Sequence, residues 1–183
     1  MLLYTPRLVL REFEEADWHA VAAYQSDPRY LRYYPWTTRT PADARAFVAM
    51  FIGWQREAPR YRYQLAITRR DDGRLIGNCG IRKAEAGASV AELGYELDPS
   101  YWHHGYATEA ATAMLRFAFD DLDLHRVSAV CIAENVASTR VLERLGMRLE
   151  GRMREREYYK GRWWDVLLYA ILAREWRAEH AEG

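Results

Sequence analysis

The segment from Ser89 to Ala133 constrains the fold more than any other part of the chain. It has the pattern of a strand over 89–97, a loop, a helix that begins near Gly105, and a second strand over 126–133. Small and apolar residues recur at helical spacing after Gly105. Two strands that are joined through a helix normally become parallel neighbours in one sheet. The segment therefore predicts a strand–helix–strand unit at the centre of an α/β fold.

The rest of the chain predicts antiparallel strands and helices around this unit. Asp71-Asp72-Gly73 and Lys160-Gly161-Arg162 each separate two strand-like runs and indicate hairpins. A helix start is predicted at Thr40, which can act as the N-cap for Pro41 at the first helical position. The expected fold is one α/β domain over residues 1–183, with a mixed, mostly antiparallel sheet of about seven strands and helices on both faces.

Charge and hydropathy exclude several classes of protein. The 26 basic and 26 acidic residues balance, so no overall charge draws the chain to nucleic acid or to an anionic membrane. Arginines between 140 and 156 alternate with glutamates, which predicts an ion-paired, solvated surface. Met1 to Leu10 lacks a signal-peptide pattern, and the apolar run Val166 to Ala173 is too short to span a bilayer. We expect a cytoplasmic protein without direct nucleic-acid or membrane binding.

Cysteine and histidine do not suggest a metal centre. Cys79 and Cys131 lie in strand-like apolar runs, which predicts buried, reduced thiols. His103 and His104 have no third ligand nearby in sequence, so no metal is expected. His125 follows the long helix and is interpreted as a helix-end partner.

The loop that opens the long helix is a candidate anion site. A helix start presents unpaired backbone N–H groups and the positive end of the helix dipole, which suits a phosphate. Gly105 permits close approach of a ligand, and Ala107 keeps the first turn bare. Taken alone, the same pattern equally fits a plain helix start that packs small residues on the sheet.

A longer string surrounds this loop. Ala91-Glu92-Leu93-Gly94-Tyr95-Glu96-Leu97, followed by Trp102-x-x-Gly105-Tyr106-Ala107-Thr108-Glu109-Ala110, resembles the cofactor-binding core of the GNAT acetyltransferases. It is most similar to the branch that acetylates ribosomal-protein N-termini. Further matches follow in the family's order: Arg7-Leu8-x-Leu10-Arg11, Asn135-x-x-Ser138, Leu142-Glu143-x-Leu145-Gly146 and Gly161-x-Trp163-x-Asp165. The sequence departs from the family at Trp102, His103 and His104, where the branch often has Gln or Arg, then Gly, then Lys.

The resemblance implies an acetyl-CoA site. The pyrophosphate is expected on the loop formed by His103, His104, Gly105, Tyr106, Ala107 and Thr108. Leu97 is expected to pair with the pantetheine and to offer an N–H group to the oxyanion. Asn135 is expected to face the pantetheine arm, Ser138 to protonate the departing thiolate, and Gly94 to form a bulge that splays two parallel strands. Asn135 also suits the N-cap of a short helix, and Ser138 is otherwise an ordinary first-turn residue.

The remaining assignments concern the acceptor amine. Glu92 is the first candidate for the general base, with Glu157 and Tyr158 as alternatives; Glu92 is otherwise a partly buried carboxylate held by backbone or arginine. Tyr34, Trp36, Tyr158 and Trp163 are expected to line the acceptor groove, unless they belong to the core or to a homodimer interface. The implied activity is direct attack of a primary amine, from a protein N-terminus or a small molecule, in a ternary complex. The alternative is a non-catalytic acyl-CoA-binding or regulatory module.

Overall fold

The computed structural model describes residues 1–180 and contains one eight-stranded sheet in the order β1-β2-β3-β4-β5-β6-β8-β7. The strands are β1 (Leu2–Tyr4), β2 (Leu8–Arg11), β3 (Arg62–Arg69), β4 (Leu75–Lys83), β5 (Val90–Leu97), β6 (Arg126–Ile132), β7 (Arg148–Tyr159) and β8 (Arg162–Leu172). The helices are α1 (Trp18–Gln25), α2 (Pro28–Leu31), α3 (Pro41–Gln55), α4 (Tyr106–Arg116), α5 (Val136–Arg144) and α6 (Ala173–His180).

The central strand–helix–strand unit is confirmed. Strands β5 and β6 are parallel and are connected through α4, whereas every other neighbouring pair in the sheet is antiparallel. The predicted N-terminus of α3 is also confirmed, because the Thr40 hydroxyl accepts a hydrogen bond from the Asp43 N–H. The sequence pattern missed β1, α2 and α6, which are short or lie in aromatic, weakly periodic stretches.

Two apolar layers enclose the sheet. Helix α4 covers one face, where Met114 and Leu115 pack with strand residues such as Leu93 in the larger core. On the opposite face, α1 and α3 contribute Val21 and Val48 to a second core. Because side chains alternate along a strand, odd-numbered residues of β5 face α4 and even-numbered residues face α1 to α3. These are called the α4 face and the α1–α3 face below.

The expected bulge at Gly94 is wrong. The register between β4 and β5 runs without a break from Gly77↔Leu97 to Lys83↔Ala91. A Cβ atom on residue 94 would lie 2.3 Å from Arg82 Nη2. The glycine therefore makes room for the Arg82 guanidinium, which crosses the strand at this point.

Candidate functional site

A gap between β5 and β6 forms the centre of the site. The parallel ladder contains three pairs, of which Glu92↔Ser128 is the last, although the strands continue to Leu97 and Ile132. The Asp98 N–H donates to β4, so by the alternation of backbone groups the N–H groups of Tyr95 and Leu97 point into the gap. The gap therefore presents a strand edge with which an extended chain can form hydrogen bonds.

The loop before α4 presents a row of N–H groups. Within the described residues, none of the N–H groups of 103–108 donates to another protein atom. Gly105 occupies the N-cap with φ +80° and offers no side-chain cap. The Thr108 hydroxyl is buried and also has no partner in the described part of the chain. This set of donors at a helix start fits a pyrophosphate.

The residues that depart from the family pattern hold the loop in place. Trp102 Nε1 donates to the Leu97 carbonyl over 3.1 Å. His104 Nδ1 lies 2.7 Å from the Trp102 carbonyl, which can only accept, so that nitrogen carries a proton. His103 adopts φ +64°, the left-handed conformation that glycine adopts without strain. The loop thus keeps the conformation that a glycine would favour although the glycine is replaced.

Arg7 ties the loop to the first hairpin. Its Nη1 donates to the His104 carbonyl over 2.9 Å, and its Nε donates to Glu109 Oε2 over 2.7 Å. The Thr5 hydroxyl donates to the same Glu109 carboxylate over 2.6 Å. The Arg7 guanidinium also lies over the Tyr106 ring, 4.6 Å from its centroid. The Arg7 guanidinium, paired with Glu109, is therefore held in one position beside the row of N–H groups.

A hydroxyl pair bridges the gap on the α4 face. The Asn135 side chain accepts from the Ser138 N–H over 3.2 Å, which confirms Asn135 as the N-cap of α5. Ser138 Oγ lies 2.8 Å from the Tyr95 hydroxyl. Burial raises the pKa of Tyr95 above its ordinary value, so the phenol stays protonated at neutral pH. Sequence reasoning missed Tyr95, although its odd position beside Leu93 and Leu97 places it on this face.

Neither Glu92 nor Glu157 is enclosed in the site. The Glu92 side chain is half exposed, and its Oε1 accepts from Arg82 Nη2 over 2.8 Å. Glu157 is also half exposed and lies 3.6 Å from Arg156 Nε. Both carboxylates are paired with an arginine at the surface.

The enclosed carboxylate is that of Glu96, which the sequence did not single out. Its Oε1 accepts from Tyr24, Gln25 and Asn78 over 2.6, 3.1 and 2.7 Å. Its Oε2 accepts from the Tyr30 and Tyr34 hydroxyls over 2.6 and 3.3 Å. Glu96 follows Tyr95 directly, so it lies at the same level of the gap but on the α1–α3 face.

The predicted acceptor residues divide between two places. Tyr34 stacks on Tyr30 and on Trp36, with ring centroids 4.6 and 4.9 Å apart, so these rings form a wall beside Glu96. Tyr158 and Trp163 pack on each other 5.0 Å apart and are 61% and 54% exposed. They lie on the other face of the β7–β8 hairpin from Trp164, which is buried. The structure does not bring the two predicted pairs together.

The same hairpin closes one end of the α1–α3 face. The Tyr159 hydroxyl donates to the Tyr33 carbonyl over 2.8 Å, and Lys160 Nζ donates to the Leu31 carbonyl over 2.6 Å. Trp164 contacts the Tyr33 ring edge-on at 6.1 Å. The aromatic wall is thereby held between α2 and the β7–β8 turn.

The remaining sequence predictions concern the cysteines, metals and membranes. Cys79 and Cys131 are buried and unbridged, as expected. In residues 1–180 no group of three or more His, Cys, Asp or Glu is arranged to hold a metal, and the metal-free expectation stays a prediction. No helix in that range combines the length and apolarity needed to cross a membrane.

Comparison with known proteins gives a consistent result. Residues 7–148 match the model of the acetyltransferase (GNAT) domain. The uncharacterized N-acetyltransferase YnaD of Bacillus subtilis is 39% identical over 96% of this chain and 99% of its own. The [ribosomal protein uS5]-alanine N-acetyltransferase of Escherichia coli is 26% identical over 95% of this chain and 92% of its own. A crystal structure of a GNAT-family acetyltransferase from Bacillus anthracis has a TM-score of 0.85 and 35% identity, and covers 95% of this chain and 99% of its own. The chain therefore belongs to the GNAT family and is an acetyl-CoA-dependent N-acetyltransferase.

Proposed function

We propose that this enzyme acetylates the primary amine of a protein N-terminus by direct attack in a ternary complex. The observation that carries the proposal is the two-sided gap between β5 and β6. One side holds the Tyr95–Ser138 hydroxyl pair, and the other holds Glu96 beside an aromatic wall. A protein N-terminus is the first choice of acceptor because the Escherichia coli relative acts on the alanine of a ribosomal protein.

Each part of the gap has a distinct task in this proposal. Acetyl-CoA supplies the thioester that the amine attacks. The N–H groups of 103–108 and the fixed charge of Arg7 hold its pyrophosphate, and Asn135 faces the pantetheine arm. The N–H groups of Tyr95 and Leu97 point to the place where the thioester oxygen would gain charge.

Proton transfer is assigned to hydroxyl groups on the α4 face. Ser138 donates a proton to the departing thiolate, and the neutral Tyr95 phenol replaces that proton over the 2.8 Å contact. Glu92, the first candidate for the general base from its place on the central strand, is paired with Arg82, and a Glu92→Gln variant with an unshifted rate–pH profile would exclude it.

The direct test is release of CoA from acetyl-CoA, measured by chromatography with a panel of amines. The panel contains an octapeptide that begins with alanine, the same octapeptide already acetylated, spermidine, glucosamine and free alanine. We expect release with the unmodified octapeptide and none with the acetylated control. Release only with a small amine would overturn the N-terminal acceptor. Binding of acetyl-CoA without release from any amine would instead support the non-catalytic module.

A further inference from the structure

Glu96 is an enclosed carboxylate without a cationic partner. It accepts five hydrogen bonds, and all five donors are neutral hydroxyl or amide groups. None of the ion pairs in the described part of the chain involves Glu96. The five hydrogen bonds stabilise this part-buried carboxylate but supply no counter-charge, so a cation that reaches Glu96 gains a favourable electrostatic interaction.

The surrounding groups do not remove this charge. Burial raises the pKa of Tyr24, Tyr30 and Tyr34, and the charge of Glu96 raises each of them further. The three phenols therefore stay neutral and serve as donors. Arg82, the arginine nearest along the sheet, is held by Glu92 and by Gln64. None of the donors to Glu96 is therefore a counter-charge for its carboxylate.

The aromatic wall beside Glu96 holds a cation at its outer end. Tyr34 is stacked between Tyr30 and Trp36, so only the outer rings of the stack have faces left to attract a cation. Arg39 already uses the outer end of this wall: its guanidinium lies 4.9 Å from the Trp36 centroid and donates to Gln25, a partner of Glu96. A cation of the chain itself is thus accommodated next to the cluster.

The position of Glu96 places this charge beside the reaction. Glu96 is partly exposed, and its Cα atom is about 3.8 Å from that of Tyr95, whose N–H points into the gap. Tyr95 and Glu96 project to opposite faces, so the Ser138 hydroxyl and the Glu96 carboxylate flank the gap from two sides. With the thioester in the gap as proposed above, an amine on the α1–α3 face would lie next to Glu96.

We propose that Glu96 binds the acceptor amine in its cationic form and accepts one proton from it, which frees the nitrogen lone pair for attack on the thioester. As the C–N bond to the acetyl group forms and the C–S bond breaks, the nitrogen releases its second proton to solvent. The sulfur takes a proton from Ser138, and solvent restores that proton through Tyr95. The acceptor class is accordingly a protonated primary amine, and uncharged nitrogen groups are excluded at the binding step. This inference rests on the proposed acetyl transfer and deepens it.

The test compares two dead-end inhibitors at pH 6.5 in the acetyl-CoA-dependent reaction. One inhibitor is the alanine octapeptide with a dimethylated, cationic N-terminus, and the other is its neutral N-acetylated form. If the octapeptide is not acetylated, spermidine is used as the acceptor. Dimethylated and acetylated spermidine then serve as the cationic and neutral inhibitors. The wild-type enzyme is expected to bind the cationic inhibitor about tenfold or more tightly than the neutral one. In Glu96→Gln this preference should fall to about twofold or less, and KM for the acceptor should rise while KM for acetyl-CoA is unchanged.

Two variants separate charge from structure. Tyr34→Phe removes one donor from the cluster but leaves the carboxylate, so it should retain the preference for the cationic inhibitor. Glu85→Gln removes a carboxylate at an exposed turn and should resemble wild type in every measurement. An undiminished preference in Glu96→Gln, or an equal loss in Tyr34→Phe, would overturn the inference while wild-type turnover still supports acetyl transfer. No CoA release by the wild type would overturn the proposed function itself.

Discussion

At the scale of single residues, the contact between Ser138 and Tyr95 makes the most direct prediction. Ser138→Ala removes the hydroxyl that lies 2.8 Å from the Tyr95 phenol. We expect kcat to fall about 100-fold, because the thiolate then leaves without a positioned acid. KM for acetyl-CoA should change little, since the N–H groups of the loop remain. Steady-state kinetics of CoA release measure both constants.

The matched control is Thr139→Ala on the same helix. The Thr139 hydroxyl donates to the Val136 carbonyl and is exposed, so its loss should leave kcat near the wild-type value. Tyr95→Phe should lower kcat in the same direction as Ser138→Ala. Full turnover by Ser138→Ala at saturating substrates would remove Ser138 from the mechanism.

Residues whose role is local could be predicted from the sequence, and those that act across the gap could not. Asn135 as an N-cap and Gly105 at a left-handed helix start depend on their immediate neighbours. Tyr95 and Glu96 acquire their partners from α5 and from α1 to α2, more than forty positions away. Gly94 was misread because its requirement for space comes from Arg82 on the neighbouring strand.

At the scale of elements, the attachment of the α4 loop to the first hairpin has a measurable effect. Arg7→Gln removes hydrogen bonds to the His104 carbonyl and to Glu109, and with them the charge beside the loop. We expect the Kd for acetyl-CoA to rise about tenfold, in line with the loss of charge-assisted hydrogen bonds. Calorimetric titration with acetyl-CoA measures this change.

A double-mutant cycle identifies the cause. Glu109→Gln weakens the anchor of Arg7, so the double variant should lose less than the sum of the two single variants. Arg29→Gln, which breaks only an exposed pair with Asp27, should bind acetyl-CoA as wild type does. Strictly additive losses would show that Arg7 acts on the ligand without its anchor.

Elements with strong local signals were predicted well. Thr40 and Pro41 mark the start of α3, and the Asp71-Asp72-Gly73 turn lies between β3 and β4. By contrast, β1 has three residues and α2 has four, too few for a periodic pattern to emerge. Their presence depends on pairing with β2 and on packing of Tyr30 and Leu31 in the second core.

At the scale of the whole molecule, buried acidic groups predict a loss of stability at alkaline pH. Burial raises the pKa of Cys79 to about 12 from an ordinary 9.0, and burial also raises the pKa of Tyr24, Tyr30 and Tyr34. Since these pKa values are higher in the folded state, the stability that each group provides is complete below its unfolded-state pKa and is lost as pH rises toward its folded-state pKa, which for Cys79 is the range from about 9 to about 12. Each such group contributes a slope of up to about 1.4 kcal/mol per pH unit.

Urea unfolding at pH 7, 9 and 10.5 tests this expectation. The unfolding midpoint should be lower at pH 10.5 than at pH 9, and Cys79→Ala should reduce that difference. A midpoint that does not change between pH 9 and pH 10.5 would contradict the burial of these groups.

The overall architecture was more predictable than the composition of the site. The spacing of Leu97, Gly105 and the strand over 126–133 was sufficient to predict the parallel unit at the centre of the sheet. The site combines the loop before α4, the gap between β5 and β6 and the aromatic wall beside Glu96, which come from separate segments of the chain. Their relative placement follows from the sheet order β4-β5-β6-β8-β7. That order depends on which distant strands pair with each other, and the hydrophobic periodicity of the sequence does not predict this pairing.

The end of the β5–β6 ladder at Glu92 and Ser128 also has a mechanical consequence. In the described chain, the strands before α4 and those after it meet in the sheet through three residue pairs. Each half of the sheet is held together by longer antiparallel ladders, so the three pairs are a short connection between two more rigid halves. A ligand that forms hydrogen bonds along the open strand edge would connect the two halves at a second place. Cosubstrate binding would then stiffen the whole sheet and align the two halves before an amine arrives.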